Sequence, residues 1–353
     1  MRGEATTADE RAKPLREMWY CAMPSAALKP GALEARLYLG EPLVFGRGAD
    51  GAAFALRDLC PHRGIPLHYG KFDGQEIECA YHGWRFKTSG QCAAIPALPE
   101  SHPHDVGRIC IQAYPVREVQ GNVWVFFGDG DPEEAPQIPL LPDLGAERRP
   151  NLTFSVRVPT RPDDALYNLV DPTHNPFIHV SWWWRRRGSI RPKEKAFVPS
   201  DYGFTMVPHR PSANYAPYKL LGGEVKTQII FRLPGIRIEH MGFGKHRLVT
   251  LNTITPVSDN EIEESYAIYW TNPLFNLLKP IGRAIVGAFA AQDGGAMRMQ
   301  AQGARYDPPT MLIDDADTQA KWYYRLKQEY ARARAEQRPF VNPVPARVLR
   351  LRS

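Results

Sequence analysis

Short alternating runs of apolar and polar residues fill the first third of the chain. Leu43-Val44-Phe45 and Phe54-Ala55-Leu56 read as strands on either side of Gly46-Arg47-Gly48-Ala49-Asp50-Gly51, which predicts a hairpin. The same hexapeptide matches the G-x-G-x-x-G dinucleotide fingerprint. That fingerprint needs a helix after it, and a second strand follows here. Glu76–Ala80, Arg108–Tyr114 and Val123–Phe127 are further strand candidates, with Gln120-Gly121 turning the chain before the last. A proline- and acid-rich stretch, about 129–150, reads as a linker. Beyond it, residues 153–158, 225–231, 236–241, 247–255 and 263–270 alternate as strands of an antiparallel sheet. Two helical segments, about 274–304 and 314–336, close the chain. The second has Asp314 or Asp315 near its start and arginines toward its end, as the helix dipole favours.

This pattern predicts an α+β chain: an N-terminal all-β domain and a C-terminal domain with an antiparallel sheet flanked by helices. The expected bounds are 1–16 for a flexible N-terminus, 17–135 for the first domain, 136–152 for the linker and 153–353 for the second domain. At 353 residues, two cores are expected rather than one. The charge balance, 44 basic against 38 acidic residues, gives no case for a nucleic-acid partner. A denser run (Arg185, Arg186, Arg187, Arg191, Lys193, Lys195) reads as a solvated loop or as a docking patch for an acidic redox partner. No apolar run reaches the roughly 20 residues of a membrane span, although Leu274–Ala290 could close a pocket or touch a membrane surface. The N-terminus lacks the apolar centre of a signal peptide, and five cysteines are too few for a disulfide scaffold; a cytoplasmic protein is expected.

Two couplets carry the chemistry: Cys60-Pro61-His62-Arg63-Gly64 and Cys79-Ala80-Tyr81-His82-Gly83-Trp84, with sixteen residues between His62 and Cys79. Two thiolates and two imidazoles in that order are the ligand set of a Rieske [2Fe–2S] cluster, in which the cysteines hold one iron and the histidines the other. A tetrahedral zinc site could use the same four donors, but zinc knuckles usually pair like with like, whereas each couplet here mixes the two. A second constellation is Asn168-Leu169-Val170-Asp171-Pro172-Thr173-His174-Asn175-Pro176-Phe177-Ile178-His179. Two histidines five apart, with an Asp and an Asn upstream, could hold a first-row metal, and a mononuclear non-haem iron typically uses two histidines and one carboxylate with positions left open. Read alone, His179 could be a core histidine and Asp171 a helix cap.

The two constellations together, in this order and at this separation, resemble the oxygenase component of Rieske non-haem iron oxygenases, especially the vanillate and dicamba demethylases. The resemblance runs from Trp19 to about Glu336. It implies a Rieske domain on a catalytic domain containing mononuclear Fe(II), with O2 as cosubstrate, assembled as a head-to-tail homotrimer. Cys60, His62, Cys79 and His82 would bind the [2Fe–2S] cluster, and His174 and His179 the iron. Asp171 would bridge His82 of the partner subunit to His174, and Asn168 would line the pocket near the iron. The family's third ligand lies on a late helix in a Glu-Asp pair followed by glutamine. Here Ala291-Gln292-Asp293-Gly294-Gly295 fits, with Gln300 or Gln302 after it, so Asp293 is the expected ligand and Asp307 and Asp314 the fallbacks. The chain departs from the family in having Gln292 for the glutamate. Each adjacent glycine also costs a helix about 1 kcal/mol, so a break in the helix is expected there. High-potential Rieske proteins carry extra cysteines and a serine where this chain has Ile65, Ala80 and Trp84, which implies a lower potential. Cys92 and Cys110 are expected to be buried packing residues.

The function implied is O2-dependent hydroxylation or oxidative demethylation of a hydrophobic substrate. Aromatic methyl ethers, N-methyl compounds and sterol-like polycyclic lipids are the candidates. With no flavin or nicotinamide motif in the chain, NAD(P)H enters only through a separate flavin-containing reductase and/or ferredoxin. The alternative is a Rieske-type electron-transfer protein without oxygenase activity, which would leave the second domain unexplained; an iron–sulfur sensor is a third reading. Trp182, Trp183, Trp184, Tyr215, Tyr218, Phe243 and Trp270 are candidates to line an aromatic pocket, although most aromatics in such a domain are core.

Overall fold

Hairpins build the first half of the chain in this computed structural model, which describes residues 14–99, 102–180, 190–210, 225–306 and 308–353. The chain divides into two compact units. The first comprises Arg16–Leu140 with Ala146–Arg148; the second includes Arg149–Ser353 with Leu141–Gly145.

In the first unit, β1 (Met18–Pro24), β10 (Val116–Val119) and β11 (Asn122–Phe127) form a three-stranded sheet in the order β1-β11-β10. A second sheet joins β2 (Leu33–Tyr38), β3 (Glu41–Arg47), β4 (Ala53–Arg57) and β9 (Ala113–Tyr114) in that order. The glycine-rich hexapeptide lies at the β3–β4 hairpin, where Val44 pairs with Leu56 and Phe45 with Ala55. A third sheet, β5 (Lys71–Phe72), β6 (Glu76–Glu78), β7 (Arg85–Lys87) and β8 (Cys92–Ala94), carries the second cysteine–histidine couplet between β6 and β7.

The strand expected over Arg108–Tyr114 is mostly something else. Asp105 accepts a hydrogen bond from the Gly107 amide and winds Val106–Arg108 into a 3-10 turn, so only a bridge at Cys110 and the two-residue β9 remain. Cys92 is buried as expected, but Cys110 is exposed, because its neighbour Ile111 takes the inward position.

The second unit is built on an eight-stranded antiparallel sheet in the order β12-β18-β17-β16-β15-β14-β13-β19. The strands are β12 (Leu152–Val158), β13 (Pro192–Ser200), β14 (Gly203–His209), β15 (Val225–Arg232), β16 (Ile236–Phe243), β17 (His246–Ser258), β18 (Glu261–Trp270) and β19 (Arg347–Arg352). Among the described residues four α-helices accompany it: α1 (Pro162–Val170), α2 (Asn175–Ile178), α3 (Lys279–Ala304) and α4 (Thr318–Ala335). Pro162 at the first turn and Asp163 and Asp164 behind it suit the positive end of α1, and Pro172 stops the chain from continuing as helix.

Two expectations are corrected in α3. The helix runs unbroken through Gly294 and Gly295. Packing against β12 and α1 offsets the glycine penalty there, and buried Gly294 lies close to Val158. The 3-10 turn before α3 joins it into one 32-residue segment, Pro273–Ala304, long and apolar enough by composition to cross a membrane, which the sequence reading had excluded. Its C-terminal half belongs to the candidate site described below. Its start leaves Leu274, Leu277, Leu278 and Ile281 exposed.

A buried ion pair fixes α1, which leads into the histidine segment, against α4. Lys327 Nζ donates to both Asp163 carboxylate oxygens at 2.8 and 2.9 Å, and the Tyr323 hydroxyl donates to Oδ1 at 2.5 Å. Removing one partner strands a buried charge. Lys327→Met is therefore expected to lose about 3–5 kcal/mol in urea unfolding, and adding Asp163→Leu to recover much of it. A double variant no more stable than Lys327→Met would show that the pair is not what holds α1.

Candidate metal centres

The two cysteine–histidine loops of the first unit are copies of one backbone device. In each, the cysteine amide donates to the carbonyl five residues on (Ile65, Trp84), and the glycine amide four residues on (Gly64, Gly83) donates back to the cysteine carbonyl. The two glycines close the loops at φ of 69° and 70°, a conformation that glycine adopts without penalty.

Cys60 and Cys79 are rooted in the core formed by Val44, Leu67, Ile77 and Phe86, whereas His62 and His82 are exposed. The imidazole centroids are 4.5 Å apart, and Trp84 stacks on His62 at 4.7 Å with 7° between the planes. Asp58 ties the first loop down by accepting from the amide and Nδ1 of His68. Burial pushes the Cys60 thiol up to about 11, opposed by the His62 and Arg63 amides aimed at its sulfur. A thiolate there needs a cation beside it, so the loops fit a cluster with sulfur ligands inside and imidazole ligands at the surface.

In the second unit a single helical turn, α2, separates His174 from His179, and α3 brings Asp293 to both. His174 Nε2 and His179 Nε2 are 3.2 Å apart; Asp293 Oδ1 lies 3.5 Å from the first and 3.2 Å from the second. A triangle with these edges has a circumscribed radius of about 1.9 Å, so His174, His179 and Asp293 are spaced to hold one metal ion at the roughly 2.1 Å of a metal–imidazole bond. Asp293 Oδ1 is buried with no hydrogen-bond partner among the described residues, as a metal-ligand oxygen would be in the metal-free chain.

Two neighbours orient the rings. Gln292 Oε1 lies 3.1 Å from His179 Nδ1, and its Nε2 donates to the Val180 carbonyl at 3.3 Å. That places the His179 proton on Nδ1 and leaves Nε2 unprotonated. Asp171 Oδ2 lies 3.3 Å from His174 Nδ1, while its Oδ1 accepts from the Thr173 amide and hydroxyl, both at 2.6 Å. The role of Gln292 was not read from the sequence, where it stood only as a departure from glutamate. Its place beside Asp293 was the available signal.

Asp314 lies elsewhere, paired with Lys321 at 2.6 Å, and Gln300 and Gln302 are exposed. Trp182–Trp184, Arg185–Arg187, Tyr215, Tyr218 and Asp307 fall outside the described residues.

A cavity of about 620 Å³ opens beside the triad, lined by Asn168 and Asp171 and floored by the sheet. Phe197, Phe231, Tyr266 and Phe289 supply its aromatic surface. Phe243 and Trp270 do not: both are buried against Phe275, at 5.9 and 6.3 Å between ring centroids. Ile285, Val286 and Phe289 of α3 line it, so part of the segment Leu274–Ala290 does border the pocket.

Residues 18–115 match the Rieske [2Fe-2S] domain family. The chain is 33% identical over 212 residues to the 3-chlorobenzoate-3,4-dioxygenase oxygenase subunit of Comamonas testosteroni, covering 59% of this chain and 44% of that protein. It is 30% identical over 162 residues to the 4beta-methylsterol monooxygenase of Methylococcus capsulatus, covering 46% and 44%. It spans less than half the length of these curated relatives. The structure of Pseudomonas putida CBB5 NdmA with caffeine shares the fold, with a TM-score of 0.72 at 20% identity over 93% of this chain and 94% of that one. The first unit is thus a Rieske domain. In sequence and fold the chain is similar to oxygenase components of Rieske oxygenases.

Glu264, under the triad, is fully buried. Its Oε1 accepts from Asn252 Nδ2 at 3.0 Å and from the Tyr266 hydroxyl at 2.7 Å, while Oε2 has no hydrogen-bond partner among the described residues. Burial pushes its carboxyl from 4.5 up to about 7, and Asp293 adds to the shift. The native state therefore pays nothing for Glu264 below about pH 4.5, loses stability as pH rises toward 7, and stays at that deficit above it. In the iron-free protein, Glu264→Gln should raise the thermal midpoint more at pH 8 than at pH 5, with a gain of up to about 3 kcal/mol. An equal gain at both would show that the wild-type group is ionised throughout.

Proposed function

We propose that this chain is the oxygenase component of a Rieske-type monooxygenase that hydroxylates or oxidatively demethylates a hydrophobic substrate. The convergence of His174, His179 and Asp293 on one cavity wall carries this reading, because an electron carrier would have no use for such a site. Cys60, His62, Cys79 and His82 would hold a [2Fe–2S] cluster, and the triad Fe(II). Bound there, the metals would supply one-electron transfer and the reductive activation of O2.

The chain's own groups do the rest. Gln292 holds His179 in the tautomer whose Nε2 can ligate. Asn168 borders the cavity beside the triad. Asp171 fixes His174 and, in a homotrimer, would reach the partner subunit's His82, joining the two centres through one carboxylate. The exposed edges of His62 and His82 suit electron entry from a separate flavin-containing reductase and/or ferredoxin. Similarity to a dioxygenase subunit, a methylsterol monooxygenase and an N-methyl-compound-binding fold relative supports O2 chemistry on an apolar substrate.

The test is an anaerobically reduced single turnover with aryl methyl ethers, N-methyl compounds and sterols, read by mass spectrometry after oxygen is admitted. A product with one added oxygen, or a demethylated product with formaldehyde, is the expected outcome. Rapid cluster oxidation with every candidate unchanged would favour electron transfer alone.

A further inference from the structure

Lys193 and Lys195 belong to the basic run that the sequence suggests is a solvated loop or a docking patch. In the structure both lie on β13, where burial alternates: Glu194, Ala196 and Val198 face outward and are exposed, whereas Lys193, Lys195 and Phe197 line the cavity. The same floor carries His209 on β14 and Arg237 and Glu239 on β16.

Most of these groups have partners. Lys193 Nζ donates to Ser353 Oγ at 2.8 Å, Arg237 Nη2 lies 2.9 Å from Glu239 Oε2, and His209 Nδ1 lies 3.2 Å from the Val207 carbonyl. Lys195 Nζ has no hydrogen-bond or ion-pair partner among the described residues. Burial pulls its ammonium down to about 8, and burial together with the Lys195 charge lowers His209. Among the described residues lining this end of the cavity, two lysines and an arginine thus stand against one side-chain carboxylate, Glu239. A desolvated cation facing a cavity without its counter-ion makes a subsite for an anionic group.

The distance between this cation and the triad sets the ligand's shape. Glu264 and Tyr266 beneath the triad stand on β18, and five strand spacings separate β18 from β13. At about 4.8 Å each, that is about 24 Å along a flat sheet, an upper bound on the reach. Next to β13 the floor is apolar, lined by Met206, Ile229 and Phe231 of β14 and β15, while Arg237 and Glu239 of β16 lie between these and β18.

We propose that the substrate of this cavity is an elongated organic anion, its carboxylate held by Lys195 while its apolar body reaches the His174–His179–Asp293 triad. The proposal rests on the oxygenase reading and specifies the substrate class of that site.

The test is equilibrium binding to the anaerobic holoprotein by calorimetry, with two matched pairs: cholate against cholamide, and methoxybiphenyl carboxylate against its primary amide. At least one acid is expected to bind roughly tenfold to a hundredfold tighter than its amide. Lys195→Gln should abolish that preference while still binding the amide, which also shows that the variant is folded. Lys226→Gln, which removes an equal charge from the outward face of β15, should keep it. Equal affinity for acid and amide, no binding of either acid, or a preference that survives in Lys195→Gln would overturn the proposal. No turnover enters this measurement. A wrong oxygenase reading would leave the preference intact and appear only as absent product.

Discussion

Three donor atoms within 3.5 Å of one another, two imidazole nitrogens and a carboxylate oxygen, set the terms for the rest of the second unit. Such a group is costly in a metal-free fold, since Asp293 Oδ1 has no hydrogen-bond partner among the described residues. Its position follows from two elements that must meet: a single helical turn between two histidines and a long helix crossing it. Asp163, Lys327 and Tyr323 hold the first of these through α1, and packing on β12 and α1 holds the second. Gln292 links them directly, reaching from α3 to His179.

The first unit solves a different problem with one loop used twice. Identical backbone hydrogen bonds and two left-handed glycines set the cysteines in the core and the histidines at the surface. That asymmetry suits electron transfer, because buried sulfurs keep water from one side while exposed imidazoles face whatever delivers or takes the electron.

Local patterns were legible in the sequence. The couplets, the segment from Asn168 to His179, the β3–β4 hairpin and the strands β15 to β18 all depend on spacings of a few residues, and such spacings survive in a one-dimensional reading. Features set by tertiary packing were not. Gly294 and Gly295 argued for a broken helix, yet packing carries α3 through them. Cys110 read as buried until the turn capped by Asp105 reset the phase of its strand. Lys195 read as surface because its neighbours in sequence are arginines, and only the alternation along β13 turns it inward. Trp270 and Phe243 looked like pocket aromatics because composition cannot tell which face of a sheet a ring occupies.

The central claim is that one chain holds two separate iron sites. Iron quantitation per chain on anaerobically purified protein, wild type and Asp293→Ala, tests it most directly. The account predicts three irons in the wild type and two in the variant, with the visible absorption of the cluster unchanged. Two irons in both proteins, or three in both, would contradict the assignment of Asp293 and of the triad around it.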